Sequence, residues 1–140
     1  MDAAGLSDLH VPTRTLAWVP FSEGIAFRLL RVSPETGAWT VLFRCEAGSA
    51  FAPHRHLGAG EYLMLSGRME VRGGAQAGGV TALPWDYGWE PSGVVHDSTR
   101  FVETTEFFFT NHGPIAFVDA DGKTLSVLDW RDVASLAGAG

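Results

Sequence analysis

The sequence predicts an all-β fold of the jelly-roll type, in which many short strands form a sandwich or barrel, with one short helix near the C-terminus. Seventeen glycines and seven prolines are spread along the 140 residues as turn signals and do not form a linker. Between them lie short runs rich in Val, Leu, Phe, Thr and Trp, a composition typical of strands. Ten or so short strands in a chain of this length favour a sandwich or barrel.

Turn residues divide the chain into successive strands. The first two strands, at 24–32 and 39–45, are expected to form a hairpin around the turn 33–37. Gly67 is expected to turn the chain between the predicted strands 61–66 and 68–72. The further predicted strands cover residues 49–56, 61–66, 68–72, 80–83, 87–90, 94–99, 104–110, 115–119 and 124–128.

Three aromatic residues in the strand 104–110 are consecutive, and the strand is therefore expected to be covered on both faces. Phe51, Trp89, Phe107 and Phe109 are expected in the core, with some of them lining a pocket. A helix is predicted over 130–136, and Asp129 precedes it as an N-cap. We expect an N-terminal arm at 1–15, one domain at 16–136 and a flexible tail at 137–140.

Composition excludes several classes of function. A net charge of −6 and a pI near 5.2 argue against a nucleic-acid partner. The chain contains no run of 18 or more apolar residues, the length that is needed to span a membrane. Its acidic N-terminus lacks the pattern of a signal peptide. The single cysteine, Cys45, has no internal disulfide partner and is expected to be a buried structural thiol. These features predict a cytoplasmic protein.

Three of the five histidines follow a pattern that predicts a metal site. His54 and His56 are two residues apart, so an extended strand points both side chains to one face. His96 follows a tight turn at 91–93, at the start of another strand. Two ligands from one strand and one from another can hold a metal ion through three neutral imidazoles and leave other coordination positions open.

The same residues resemble the two motifs of the cupin superfamily. The first motif, Gly-x5-His-x-His-x3,4-Glu-x6-Gly, is matched by Gly48, His54, His56 and Gly67. The second, Gly-x5-Pro-x-Gly-x2-His-x3-Asn, is matched by Pro91, Gly93 and His96, with Trp85 in the first glycine position and Arg100 in the asparagine position. The resemblance spans residues 48–100 and implies a single-domain cupin, a double-stranded β-helix or jelly-roll barrel.

The chain departs from the first motif at its carboxylate. The glutamate position is occupied by Gly60, and the nearest carboxylate, Glu61, lies one residue later. A shift of one residue on a strand turns a side chain to the opposite face, which favours a site of three histidines without Glu61. A bulge in the Gly-rich bend 58–60 is the alternative, since it would let Glu61 reach the metal. Three neutral imidazoles leave a divalent ion its full charge and favour an anionic chelating ligand such as an enolate.

A longer similarity narrows the resemblance. The segments 54–72, 86–99 and 113–122 are similar to the cupin group around acetylacetone-cleaving (diketone) dioxygenase and 2,4'-dihydroxyacetophenone dioxygenase. The resemblance implies a non-haem Fe(II) and dioxygen-dependent cleavage of a C–C bond next to a carbonyl. It also assigns His54, His56 and His96 as metal ligands, and it matches Tyr62, Arg72, Glu90 and Thr99 to pocket positions.

The residue types are compatible with these implied roles. The Tyr62 phenol can hydrogen-bond a ligand, Arg72 can neutralise substrate charge or pair with Glu90, and Glu90 can orient an imidazole or act as a base. The expected reactants are a β-dicarbonyl or hydroxyacetophenone-like small molecule and dioxygen.

Two other functions fit the same residues. With Zn(II), three histidines and a water resemble a hydrolase or lyase centre, and Ni(II) is a further metal for the purified protein. A non-catalytic sensor or ligand-binding cupin that carries a metal is the other alternative. A homodimer or homotetramer is expected in each case, and the apolar segment 16–21 is a candidate for its interface.

Overall fold

The computed structural model describes residues 8–138, which consist almost entirely of antiparallel strands. Twelve strands form an eight-stranded and a four-stranded sheet, and helix α1 (Trp130–Leu136) follows the last strand. The all-β prediction with a C-terminal helix is therefore confirmed. Residues 1–7 of the predicted arm and 139–140 of the predicted tail lie outside the described residues, and the predicted domain boundaries stay a prediction.

The larger sheet has the strand order β1-β2-β3-β10-β6-β7, with β4 also paired to β10 and β8 also paired to β6. Its inner face carries most of the buried apolar side chains. Its strands are β1 (Val19–Ser22), β2 (Ile25–Val32), β3 (Ala38–Cys45), β4 (Ala50–Phe51), β6 (Gly60–Val71), β7 (Val80–Ala82), β8 (Tyr87–Glu90) and β10 (Thr99–His112).

The smaller sheet has the order β12-β11-β5-β9 and carries the predicted histidines on its two shortest strands. Its strands are β5 (His54–His56), β9 (Val95–His96), β11 (Ile115–Val118) and β12 (Thr124–Leu128). The predicted hairpin around 33–37 corresponds to β2–β3 and is confirmed, and β11 and β12 also pair antiparallel. The predicted cap of α1 is confirmed too, because the Asp129 carboxylate accepts hydrogen bonds from two backbone N–H groups of the first turn.

Two predicted strand boundaries are wrong because of local backbone irregularities. Gly67 does not end a strand: β6 continues through it with a positive φ of 83° and an irregular register opposite Thr105. A Cβ at Gly67 would lie 2.3 Å from the Thr105 hydroxyl, so the bulge needs glycine. Conversely, the predicted strand 49–56 is broken between Phe51 and His54, and its two halves pair with different sheets.

The predicted strands 94–99 and 104–110 have different boundaries in the structure. The predicted strand 94–99 ends as β9 at His96, and Thr99 already belongs to β10. Strand β10 is twice as long as the predicted strand 104–110 because it pairs in turn with β4, β6 and β3. No helix in the described part of the chain is long and apolar enough to cross a membrane.

Two aromatic side chains expected in the interior lie outside it. Phe107 and Phe109 are buried, but Phe108 points to the outer face of the large sheet and is 36% exposed. Trp89, on the same face of β8, is 54% exposed. The prediction that 104–110 is covered on both faces is therefore wrong for the residues that the structure describes. Cys45 is fully buried as predicted, and burial raises the pKa of its thiol far above the ordinary range.

Candidate metal centre

Strand pairing brings the three predicted histidines to one point. Strand β9 pairs antiparallel with β5 so that His96 lies directly opposite His54, and the strand period puts His56 on the same face as His54. The three rings form a nearly equilateral triangle, with centroids 5.1 to 5.3 Å apart. One nitrogen from each ring lies within 4.8 Å of the other two, and all three residues are buried. Among the described residues this group can hold a metal ion.

Hydrogen bonds fix the orientation of each ring. The Nδ1–H of His54 donates to the carbonyl of Ala52 at 2.7 Å, and the Nδ1–H of His56 donates to Oδ1 of Asn111 at 2.8 Å. The Nδ1 of His96 lies 3.0 Å from Oε2 of Glu90. Each ring is thus held through Nδ1, which leaves its Nε2 lone pair available. Nε2 of His56 is buried without a hydrogen-bond partner among the described residues, as expected of an atom that binds a metal.

Burial keeps two of these imidazoles neutral. Desolvation lowers the pKa of His54 to about 4, against an opposing contribution from its hydrogen bond to Ala52. Burial also lowers the pKa of His56. Both rings therefore carry free lone pairs at neutral pH, and neutral imidazole is the form that binds metal ions.

Asn111 belongs to the site, although sequence reasoning did not identify it. Its side chain is fully buried near the end of β10, and its Nδ2 donates to the carbonyl of Gly113 at 2.6 Å. This second hydrogen bond settles which way the amide points, so that Oδ1 faces His56. No motif marked the residue, since it lies 55 positions after the histidine that it contacts.

Glu90 lies beside the imidazoles, as its predicted role requires. It points inward from β8, and its two oxygens lie 3.0 Å from Nδ1 of His96 and 3.5 Å from Nε2 of His56. Burial alone would raise the pKa of Glu90, but the hydrogen bond from His96 and the surrounding imidazoles lower it overall. The carboxylate is thus ionised at neutral pH and placed to hold the His96 ring.

Glu61 is directed away from the histidines. Its side chain lies on the outer face of β6, where it accepts hydrogen bonds from the hydroxyl of Tyr87 and from Nε2 of His112. The inward position belongs to Gly60, and a Cβ there would lie 3.1 Å from the His56 ring and 3.0 Å from Asn111. No bulge at 58–60 turns Glu61 inward, and the structure agrees with the predicted set of three histidines without Glu61.

The remaining predicted site residues divide into two groups. Tyr62 and Thr99 line the cavity beside the histidines. Burial, followed by the charges of Glu90 and Asp86, raises the pKa of Tyr62 to about 12. Arg72 does not line the cavity and forms no ion pair with Glu90. Its guanidinium donates instead to the carbonyl of Val95 at 2.7 Å, next to His96.

The cavity in front of the histidines is apolar and small. Its volume is about 40 Å³, which leaves room for a few water-sized groups between the packed side chains. The expected aromatic lining is present between the two sheets. The aromatic side chains that line it include Phe21, Trp39, Phe43, Phe51, Phe107 and Phe109.

The chain is similar to known proteins of the cupin class. Residues 6–116 match the family model described as "ChrR Cupin-like domain". The chain is 47% identical over 120 residues to the acetylacetone-cleaving enzyme of Acinetobacter johnsonii, covering 82% of this chain and 78% of that enzyme. An acetylacetone dioxygenase structure from A. johnsonii superimposes with a TM-score of 0.85 at 40% identity, over 99% of both chains. A candidate acetylacetone dioxygenase from Methylibium petroleiphilum gives 0.90 at 41% identity, over 96% of this chain and 97% of that one.

Proposed function

Because this chain belongs to the cupin superfamily, in the family of ChrR cupin-like domains, we propose that it is a non-haem Fe(II) dioxygenase. The proposed reaction cleaves a C–C bond next to a carbonyl in a small β-dicarbonyl or hydroxyacetophenone-like molecule. The observation that carries the proposal is the triangle of three buried, oriented imidazoles at an apolar cavity, in a chain 47% identical to an acetylacetone-cleaving enzyme.

The membership confirms the coarser predictions. The chain has the cupin fold, and its resemblance to the acetylacetone-cleaving group is confirmed. It is an enzyme of the dioxygenase class, as its relatives indicate. The identity of the metal and of the substrate, the cytoplasmic location and the oligomeric state stay predictions.

His54, His56 and His96 are the residues that we propose as metal ligands, each through Nε2. Bound iron would supply Lewis acidity toward a chelating oxygen and electrons for reaction with dioxygen. Neutral donors leave the full charge of the ion, which favours an enolate over a neutral ketone. The buried Glu90 carboxylate offsets part of that charge, although Glu90 is not one of the three residues whose ligand atoms converge.

The other cavity residues can act on the substrate directly. Tyr62, with its pKa raised to about 12, stays protonated and can donate a hydrogen bond to a substrate oxygen. The hydroxyl of Thr99 is buried with no partner among the described residues and can serve a second oxygen. Glu90 is ionised and can accept the proton that a β-dicarbonyl loses when it forms its enolate. The aromatic walls exclude water from these groups.

Metal analysis combined with oxygen uptake tests the proposal. We expect anaerobically prepared protein to contain about one iron per chain and to consume one dioxygen per acetylacetone cleaved. Tyr62→Phe should keep the iron and lose roughly tenfold or more in kcat/KM, since it removes one hydrogen bond to the reacting molecule.

Two results would favour the alternatives. The first is zinc in place of iron, no oxygen uptake after loading with Fe(II), and turnover without dioxygen. This combination would support a hydrolase or lyase centre. The same metal result without any turnover would support a ligand-binding cupin. Thr110→Val is a suitable control for Tyr62→Phe, because it removes a hydroxyl from the outer face of the same sheet.

A further inference from the structure

A glycine of β8 lies directly against the ring of a cavity residue. Strand β8 pairs antiparallel with β6 so that Gly88 is opposite Tyr62. A Cβ at Gly88 would overlap Cε2 and Cζ of the Tyr62 ring and would lie 2.5 Å from its hydroxyl oxygen. These separations are too short for any van der Waals contact. The phenol therefore occupies the space that every other side chain at position 88 would need.

The backbone of Gly88 does not itself require glycine. Its φ lies outside the left-handed range, in contrast to that of Gly67, which is 83°. The atoms that would crowd a Cβ at Gly58 and Gly79 belong to the main chain. At Gly88, all three of the nearest atoms belong to one side chain. The missing Cβ at this position therefore serves the placement of the Tyr62 ring.

The Tyr62 ring is enclosed between β8 and the cavity. Gly88 is two residues before Glu90, which lines the cavity, so a side chain at position 88 would point inward as well. On its other side, the ring of Tyr62 lines the cavity and meets that of Phe107 edge to face, with 6.3 Å between the centroids. Tyr62 is only 6% exposed. A ring displaced from Gly88 therefore moves into the cavity.

We propose that Gly88 is a positioning residue, which keeps the Tyr62 phenol out of the space where substrate binds and so sets the size of substrate that fits. This inference rests on the proposed function, since it takes the cavity as the place where a β-dicarbonyl binds beside the three histidines. A methyl group at position 88 would push the phenol inward by about 1 Å to restore a normal contact distance. The cavity volume is about 40 Å³, so a larger substrate loses more from this shift than a smaller one.

Anaerobic binding of two β-dicarbonyls to iron-loaded protein measures the effect without turnover. Acetylacetone is the smaller probe, and dipropionylmethane has one more methylene at each end. Gly88→Ala should raise the Kd of dipropionylmethane at least about tenfold more than that of acetylacetone, because a methylene that no longer fits is worth roughly tenfold. Isothermal titration calorimetry measures both constants. Iron content should be unchanged, since none of the atoms nearest to the new methyl belongs to a histidine.

Tyr62→Leu provides the background in which the same substitution should be harmless. Leucine has none of the three ring atoms that a Cβ at position 88 would approach. In this background, Gly88→Ala should change neither Kd by more than about twofold, and the Tm should stay equal or rise, because alanine restricts the unfolded chain. In the wild-type background, Gly88→Ala should lower the Tm. The double variant keeps the test decisive if Gly88→Ala alone does not fold.

Tyr87→Phe is the control on the same strand. It removes a hydroxyl that is bonded to Glu61 on the outer face, and it should leave the ratio of the two Kd values unchanged. Equal losses of affinity for both dicarbonyls in Gly88→Ala, or the same losses in the Tyr62→Leu background, would overturn the role of Gly88. Wild-type protein that binds both dicarbonyls and takes up no oxygen would contradict the proposed function alone. Binding of neither dicarbonyl would overturn both.

Discussion

Two histidine–glutamate pairs in this protein have the same separation and different surroundings. His96 and Glu90 lie 3.0 Å apart on the inner side of the molecule, and His112 and Glu61 lie 3.0 Å apart on the outer face of the large sheet. The inner pair is nearly buried and lies beside two more imidazoles, whereas the outer pair is 44% and 30% exposed. Distance alone therefore does not identify a functional pair; burial and the convergence of further donors do.

The largest expected effect separates the two carboxylates by activity. Glu90→Gln keeps the shape of the side chain and removes its charge, so we expect kcat to fall by about 10²- to 10⁴-fold, the usual contribution of a general base. Glu61→Gln should change kcat less than twofold, because its carboxylate faces away from the cavity. Steady-state oxygen uptake with iron-loaded protein measures both. Equal losses in the two variants would contradict the assignment.

Acid should lower the unfolding free energy of the metal-free protein, because His54 is buried as a neutral imidazole. Desolvation lowers the pKa of His54 to about 4 in the folded chain, against an ordinary value near 6.5. As the pH falls below 6.5, the unfolded chain gains a proton that the folded chain does not bind. The folded state therefore loses stability progressively until about pH 4, where His54 of the folded chain is protonated too. Metal-free protein should lose on the order of 3 kcal/mol of unfolding free energy over this interval.

Urea denaturation of metal-free protein at several pH values measures this loss. The variant His54→Asn should have a flatter dependence, because the titrating group is absent. A wild-type curve that is flat from pH 6.5 to 4, or a slope unchanged in His54→Asn, would show that His54 is not held neutral by burial.

Metal affinity should depend on the amide behind His56. Asn111→Leu removes the acceptor for the Nδ1–H of His56, and we expect a 10- to 100-fold weaker metal affinity, the usual effect of losing a partner of a ligating histidine. The neighbouring Thr110→Val removes a hydroxyl bonded to Thr40 on the outer face and should leave the affinity unchanged. Competition with a chelator measures both constants, and a similar loss in the two variants would contradict this role of Asn111.

The sequence was sufficient to predict those side-chain directions at the metal site that follow from the two-residue period of a strand. His54 and His56 share a face because they are two residues apart on one strand, and the shift from Gly60 to Glu61 turned the carboxylate outward as expected. These predictions needed no knowledge of which strands pair.

Predictions that depended on pairing or on tertiary covering were less accurate. The outward direction of Phe108 and Trp89 depends on which face of the sheet is covered, and the continuity of β6 through Gly67 depends on a bulge opposite a distant strand. Asn111 could not be linked to His56 because their contact joins strands far apart in sequence. The predicted pairing of Arg72 with Glu90 is not formed, since Arg72 reaches the backbone of β9 instead.

The smallest expected effect concerns the stability of the outer pair. His112→Ala removes a partly exposed contact with the Glu61 carboxylate and should lower the unfolding free energy by less than about 1 kcal/mol at pH 7. Urea denaturation checks this value. A loss of several kcal/mol would mean that the outer pair is far more important for folding than its exposure indicates.

We propose that the imidazoles of the inner face, and no outer-face group, hold the metal. Elemental analysis of anaerobically prepared wild type, His96→Ala and His112→Ala tests it most directly, because the two variants remove the same side chain from opposite faces. We expect about one metal ion per chain in the wild type and in His112→Ala, and almost none in His96→Ala. Full metal content in His96→Ala, or its loss in His112→Ala, would show that the inner imidazoles do not hold the metal.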